Sequence, residues 1–113
     1  MSSGIQTVIY PVKDLAGAKA LFNALLGVKP EMDEPYYVGY KVAGQDIGLD
    51  PGGHDKGMTG PVPYVHVVDV KATLAELVHG GAEIFQEATD HGDGKLVASV
   101  KDADGNIIGL RQS

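Results

Sequence analysis

The chain has no cysteine, which excludes disulfides, thiolate metal sites and cysteine nucleophiles and suits a reducing compartment such as the cytoplasm. It also has no run of Lys and Arg. Nine basic residues stand against fifteen acidic ones, for a net charge of -6, so the basic stripe that neutralises a nucleic-acid backbone is missing and no nucleic-acid partner is expected. Apolar runs are too short to span a bilayer, and the opening "MSSGIQTVIYP" lacks a basic region followed by a long apolar stretch. The expectation is a soluble, unexported, cytoplasmic protein with no membrane partner. No phosphate loop, serine elbow or paired-carboxylate motif occurs, since "GDGK" has neither the spacing nor the following helix of a phosphate loop. What remains is 113 residues, 43% apolar and 21% charged, the composition of a single folded domain.

Residues 5–12 are rich in β-branched side chains and tyrosine, which predicts a strand, and Asp14 follows as a helix cap. In "DLAGAKALFNALLG" the residues Leu15, Ala18, Phe22, Leu25 and Leu26 share one helical face, and Gly27 stands where a left-handed terminating residue belongs. A short strand is expected at 28–32. "YYVGYKVAG" and "QDIGLDP" then read as two strands joined at Ala43 and Gly44.

The same order recurs. "VPYVHVVDV" is a strand ending at a second capping aspartate, Asp69, and "VKATLAELVHGG" is a helix with Val70, Leu74, Leu77 and Val78 inward, ended by Gly80 and Gly81. Strands are expected at 83–89, 96–101 and 106–111, with turns at "HGDGK" and "DADGN". Asp14 maps onto Asp69, and "GQDIGLDP" is nearly repeated as "GNIIGLRQ", so Gly48 maps onto Gly109. An internal duplication accounts for both matches, with about six residues inserted in the second copy, most simply in the hairpin holding "DHGDGK". Module one is expected at about 4–51 and module two at about 62–113, joined by the glycine-rich loop 52–61, which is either a connector or a lid over a ligand.

A doubled βαβββ unit carrying "PVKDLAGAKALFNALLGVKP", "VVDVKATLAELVHGGAEI" and "DADGNIIGL" resembles the vicinal oxygen chelate superfamily of glyoxalases, extradiol dioxygenases and bleomycin-resistance proteins, over essentially the whole chain. The resemblance implies an α+β fold of two βαβββ modules with curved mixed sheets, outer helices and an inner cleft. It also implies a homodimer of two-fold symmetry. Metalloenzymes of this superfamily hold a divalent ion with side chains from the first and last strands of each unit, usually His or Gln and Glu. The positions that correspond here are Thr7 and Val62, and Gly48 and Gly109. None is a good ligand, so neither a metal nor another cofactor is expected; a register slipped by one residue would offer Gln6 for Thr7.

Each glycine lies between aliphatic residues, Ile47 and Leu49 or Ile108 and Leu110, which alternation sends to the opposite face. Two readings are open: the glycines remove the superfamily's metal carboxylates, or they permit strand curvature. Alternation also puts Thr7 and Ile9, and Val62, Tyr64 and His66, on the inner face, with Arg111 two residues beyond Gly109 and Tyr37 on the opposite side from Tyr36 and Tyr40. Thr7, Ile9, Tyr37, Gly48, Val62, Tyr64, His66, Gly109 and Arg111 are therefore the expected ligand-binding residues, lining a mostly apolar pocket with a few polar groups. His66 could serve as a general base, a hydrogen-bonding partner of a ligand or a structural residue. The other histidines, His54, His79 and His91, are expected to be solvated. The expected function is binding of a small organic molecule by a protein without the superfamily's metal ligands. The alternative is a metal-dependent or metal-free enzyme resembling the lyases or dioxygenases.

Overall fold

A computed structural model describes residues 2–92 and 94–112. Met1, Asp93 and Ser113 lie outside the described residues, so the expected "HGDGK" turn is described only on either side of Asp93. The elements run β1 (Ser2–Pro11), α1 (Leu15–Leu26), β2 (Met32–Glu34), β3 (Tyr37–Val42), β4 (Gln45–Asp50), β5 (Val62–Val67), α2 (Val70–His79), β6 (Glu83–Asp90), β7 (Leu96–Lys101) and β8 (Ile107–Gln112). They form two βαβββ modules with curved mixed sheets. The chain divides into two compact units, Thr7–Val62 and Pro63–Ser113, the latter taking in Met1–Gln6. No helix among the described residues is long and apolar enough to cross a membrane.

In the first unit the strands lie in the order β2-β3-β4-β1, with β1 and β4 parallel and the other pairs antiparallel. Asp14 starts α1 by accepting a hydrogen bond from the Gly17 amide at 3.0 Å, and Gly27 ends it in the left-handed conformation at φ 69°, which costs a glycine no steric strain. The turn between β3 and β4 has positive φ at both Ala43 and Gly44, the backbone twist that a two-residue hairpin needs. Val38, Tyr40 and Leu49 are buried against Leu15, Ala18, Phe22 and Leu26 of the helix and Ile47 beside them. Tyr40 is closed off by a hydrogen bond, its hydroxyl donating to Asn23 Oδ1 at 2.6 Å. Burial raises its pKa above the ordinary tyrosine value.

The second unit repeats the plan in the order β5-β8-β7-β6, with β5 and β8 parallel. Asp69 caps α2 through the Ala72 amide at 3.1 Å. Gln112, on β8, accepts from the Val70 amide at 2.8 Å, which pins the last strand to the start of the helix. Val70, Leu74, Ala98, Val100 and Leu110 form the core; truncating a buried aliphatic residue of this kind typically costs about 2–5 kcal/mol.

Three local expectations are corrected. The short strand expected at 28–32 lies at Met32–Glu34, because Pro30 has no amide hydrogen for a ladder and Val28 packs instead against the first core. Leu25 and Val78, both expected inward, are 69% and 40% exposed. Each stands beside a better-placed neighbour, Leu26 or Leu77, that takes the core position.

Registry also locates the extra residues of the second copy. Ile9 faces Gly48 as Tyr64 faces Gly109, and Gly39 faces Gly48 as Ser99 faces Gly109. The offset between copies grows from 55 residues at Ile9/Tyr64 to 60 at Gly39/Ser99 and 61 at Gly48/Gly109. Five of the added residues therefore precede Ser99, where the eight-residue β6 replaces the three-residue β2, and one lies in the turn between β7 and β8.

Candidate functional site

Each unit has a helix-covered face and an opposite face on which the expected site residues lie. In the first unit Ile47 and Leu49 belong to the core under α1, so Asp46, Gly48 and Asp50 point the other way. Thr7, Gly39, Lys41 and Tyr37 join them through the ladder, where Thr7 pairs with Asp46, Gly39 with Gly48 and Lys41 with Asp46. Thr7 is buried, 2% exposed, and Ile9 faces Gly48 directly.

Gly48 does not leave a gap. The ring of Tyr37 lies over it, so that a Cβ at Gly48 would collide with the Tyr37 hydroxyl and come within 2.6 Å of its Cζ. The same ring crosses the facing glycine, for a Cβ at Gly39 would stand 3.2 Å from Tyr37 Cε2. Two glycines paired across the β3–β4 ladder thus form a trough for one aromatic ring, a way of covering bare backbone with apolar surface.

Carboxylates on this face are matched by lysines. Lys41 Nζ stands 3.6 Å from Asp46 Oδ1. Asp50 takes a hydrogen bond from the Gly52 amide at 2.9 Å and an ion pair with Lys56 at 2.9 Å. That contact folds the 51–61 connector into a short 3-10 turn, His54–Lys56. The connector is packed down at its middle, where Gly53 has no room for a side chain beside Pro11 and Met58, and Met58 is only 8% exposed. Asp50 therefore serves the connector.

In the second unit Val65, Val67, Ile108 and Leu110 pack toward α2, which leaves Tyr64, His66, Gly109 and Arg111 on the other face. They form two adjacent rows across the sheet. One runs Tyr64, Gly109, Ser99, Gln86; the other runs His66, Arg111, Val97, Thr89. Here the ring of Tyr64 covers the glycine, and a Cβ at Gly109 would come within 2.6 Å of Tyr64 Cγ. Tyr64 is 9% exposed and Ser99 2%. Val62, two residues before Tyr64 on β5, is also 2% exposed.

The structure thus gathers Thr7, Ile9, Tyr37 and Gly48 on one face of the first unit, and Tyr64, His66, Gly109 and Arg111 on one face of the second. It adds what alternation alone did not reveal: both duplicated glycines are the seats of tyrosine rings. The signal was present, since Tyr37 precedes Gly39 by two residues and Tyr64 occupies the position of Ile9 in the other copy. Ser99 joins the glycine row as a buried polar residue that the sequence reading had not singled out. Among the described residues no group of three or more His, Asp or Glu side chains is placed to hold a metal ion.

Residues 4–110 match the family described as the Glyoxalase/Bleomycin resistance protein/Dioxygenase superfamily. No curated protein matches the chain. Among solved structures, a glyoxalase/bleomycin resistance protein/dioxygenase superfamily member from Vibrio splendidus 12B01 is similar at TM-score 0.71 and 18% identity, covering 99% of this chain and 98% of its own. Methylmalonyl-CoA epimerase from Mycobacterium tuberculosis is similar at 0.70 and 20%, covering 98% and 88%. The Mn(II)-bound glyoxalase from Novosphingobium aromaticivorans is similar at 0.74 and 17%; the match covers 99% of this chain but 40% of that one. At these identities the likeness is one of fold.

Proposed function

The chain belongs to the Glyoxalase/Bleomycin resistance protein/Dioxygenase superfamily, and we propose that within it this protein binds a small, partly aromatic organic molecule without a metal ion. One observation carries the reading. At the last-strand positions from which the superfamily's metalloenzymes extend carboxylates, this chain has Gly48 and Gly109, and the volume a side chain would need there is filled by Tyr37 and Tyr64. An aromatic ring packed on a strand offers an apolar surface and one hydroxyl. It does not supply the imidazole or carboxylate donors that hold a first-row ion. Thr7 and Val62, at the first-strand positions, are a buried hydroxyl and a buried isopropyl group.

Each face sets an aromatic ring, Tyr37 or Tyr64, among polar side chains, the mix of apolar and hydrogen-bonding surface that a small-molecule site uses. The protein acts in the cytoplasm as a two-fold homodimer; the absence of cysteine supports the compartment and the habit of the superfamily supports the pairing. Elemental analysis of the purified protein tests the metal-free reading and is expected to find far less than one equivalent of Zn, Ni, Fe, Mn or Co per chain. A stoichiometric ion with an anomalous signal at the inner face would overturn it. Mass spectrometry of copurifying small molecules identifies the ligand class, and sedimentation at micromolar concentration tests the dimer.

A further inference from the structure

The two helices are covered to different degrees. None of the twelve residues of α1 is fully buried, whereas α2 buries Val70 and Leu74. The two polar side chains of α1 are both engaged within the unit, for Lys19 pairs with Asp33 and Asn23 accepts from the Tyr40 hydroxyl. What α1 exposes is therefore Ala16, Gly17, Ala20, Leu21, Ala24 and Leu25, without one polar side chain. Leu21 and Leu25, neighbours one turn apart, are 63% and 69% exposed. The outer face of α2 is of the ordinary solvated kind and carries Lys71, Glu76 and His79.

An exposed apolar patch of this kind marks an interaction surface, and three features select a second copy of the chain as its cover. Each copy has a net charge of -6, so two copies repel wherever charged surfaces meet; this face brings no charge into the contact. Its large and small residues are also complementary under a two-fold rotation. An axis through the middle of α1, between Ala20 and Leu21, runs the two helices antiparallel and sets Leu25 of one copy over Ala16 and Gly17 of the other, with Leu21 over Ala20. Each leucine then enters a groove left by small residues. The ends match as well. Lys13 and Asp14 are exposed at the start of α1, and Lys29 and Glu31 beyond its end, so antiparallel pairing brings Lys13 to Glu31 and Asp14 to Lys29. α1 has no acidic residue in its first turn and no basic residue in its last, and an antiparallel neighbour offsets the partial end charges that its own side chains leave.

We propose that α1 is the two-fold contact of the homodimer, packing antiparallel against the same helix of a second copy with Leu21 and Leu25 at the centre. This rests on the dimer proposed above and names the surface that forms it. A helix of this length spans about 18 Å, and one helix pair buries less than the ~800 Å² per partner of a standard interface. The dimer is therefore reversible, dissociating in the micromolar range.

Sedimentation of the full chain from micromolar to millimolar concentration gives the dissociation constant. Leu21→Gln with Leu25→Gln should raise it at least about 100-fold, since the pair removes four leucines from the contact. Both positions are exposed and glutamine is a good helix former, so thermal unfolding of the variant at high dilution should match that of the parent. Because the chain has no cysteine, Ala20→Cys introduces a single thiol beside the two-fold axis, and a short bis-maleimide should join it to its own copy. Lys71→Cys, on α2, should stay unlinked at the same concentration. A dissociation constant unchanged by the glutamine pair would overturn α1 as the contact, as would linking through Lys71→Cys in place of Ala20→Cys, with the dimer itself left standing. A parent chain that stays monomeric at millimolar concentration would overturn both.

Discussion

The two units solve the same packing problem from different strands. In both, a glycine in the last strand leaves backbone bare on the inner face, and in both a tyrosine ring covers it. The first unit takes its ring from β3, where Tyr37 leans along the strand across Gly39 and Gly48. The second takes it from β5, where Tyr64 faces Gly109 directly. The residues at the equivalent places in the other copy are aliphatic: Ile9 corresponds to Tyr64, and Val97 to Tyr37. What the two copies share is thus the glycine and the filled volume above it, whereas the strand that supplies the ring differs.

The largest effect is expected from refilling the glycine. Gly109→Glu forces a side chain into the Tyr64 ring and buries a carboxylate, and it should cost about 3 kcal/mol or more in urea unfolding. Adding Tyr64→Ala should recover part of that loss. If the double variant is no more stable than Gly109→Glu alone, the ring is not what fills the space.

Removing a ring comes next. Tyr64→Ala, at a buried position, should destabilise by about 3 kcal/mol, and Tyr37→Ala, half-buried, by about 2 kcal/mol. The comparison itself is tested by exchange: Tyr37→Val with Ile9→Tyr rebuilds the first unit on the plan of the second and should be more stable than Tyr37→Val alone. No recovery would mean that the trough of Gly39 and Gly48 accepts a ring from β3 only.

Helix caps should behave alike in the two units. Asp14→Ala and Asp69→Ala should each cost about 1 kcal/mol, and thermal unfolding would show whether the extra tie from Gln112 to Val70 makes α2 less sensitive. The smallest effect is expected at Asp102, whose carboxylate accepts from Asp104 and Asn106 in the turn before β8. Those bonds, the Asn106 side chain first, lower its pKa below the ordinary carboxylate value. Its contribution to stability is therefore complete above the unfolded-state pKa and fades as pH falls through the lower folded-state value. The advantage of the parent over Asp102→Ala should persist at neutral pH and shrink only in that acidic window, as read from parallel unfolding curves.

These comparisons also mark what the sequence could and could not reveal. Local signals were plain: Asp14 and Asp69 announce helices, Gly27 ends one, Ala43 and Gly44 turn a hairpin, and alternation assigns Ile47, Leu49, Ile108 and Leu110 to the helix side. Each depends on residues a few positions apart. The ring over Gly48 depends on the register of β3 against β4 and on a diagonal lean of Tyr37, which alternation does not encode. The same gap explains Leu25 and Val78, since a helical pattern marks an apolar face but not which of two neighbouring residues finds the sheet beneath it.

A duplicated chain faces a hazard that single folds do not, because β1 and β5 are copies and each must choose between two similar glycine-bearing strands. The rings sort them. Were β5 to pair with β4, Tyr64 and Tyr37 would contend for the one space above Gly48; were β1 to pair with β8, Ile9 and Val97 would leave Gly109 uncovered. Both wrong pairings are penalised, one by collision and the other by a void. By drawing its two rings from different strands, the molecule packs each strand better against its own glycine-bearing partner than against the copy's.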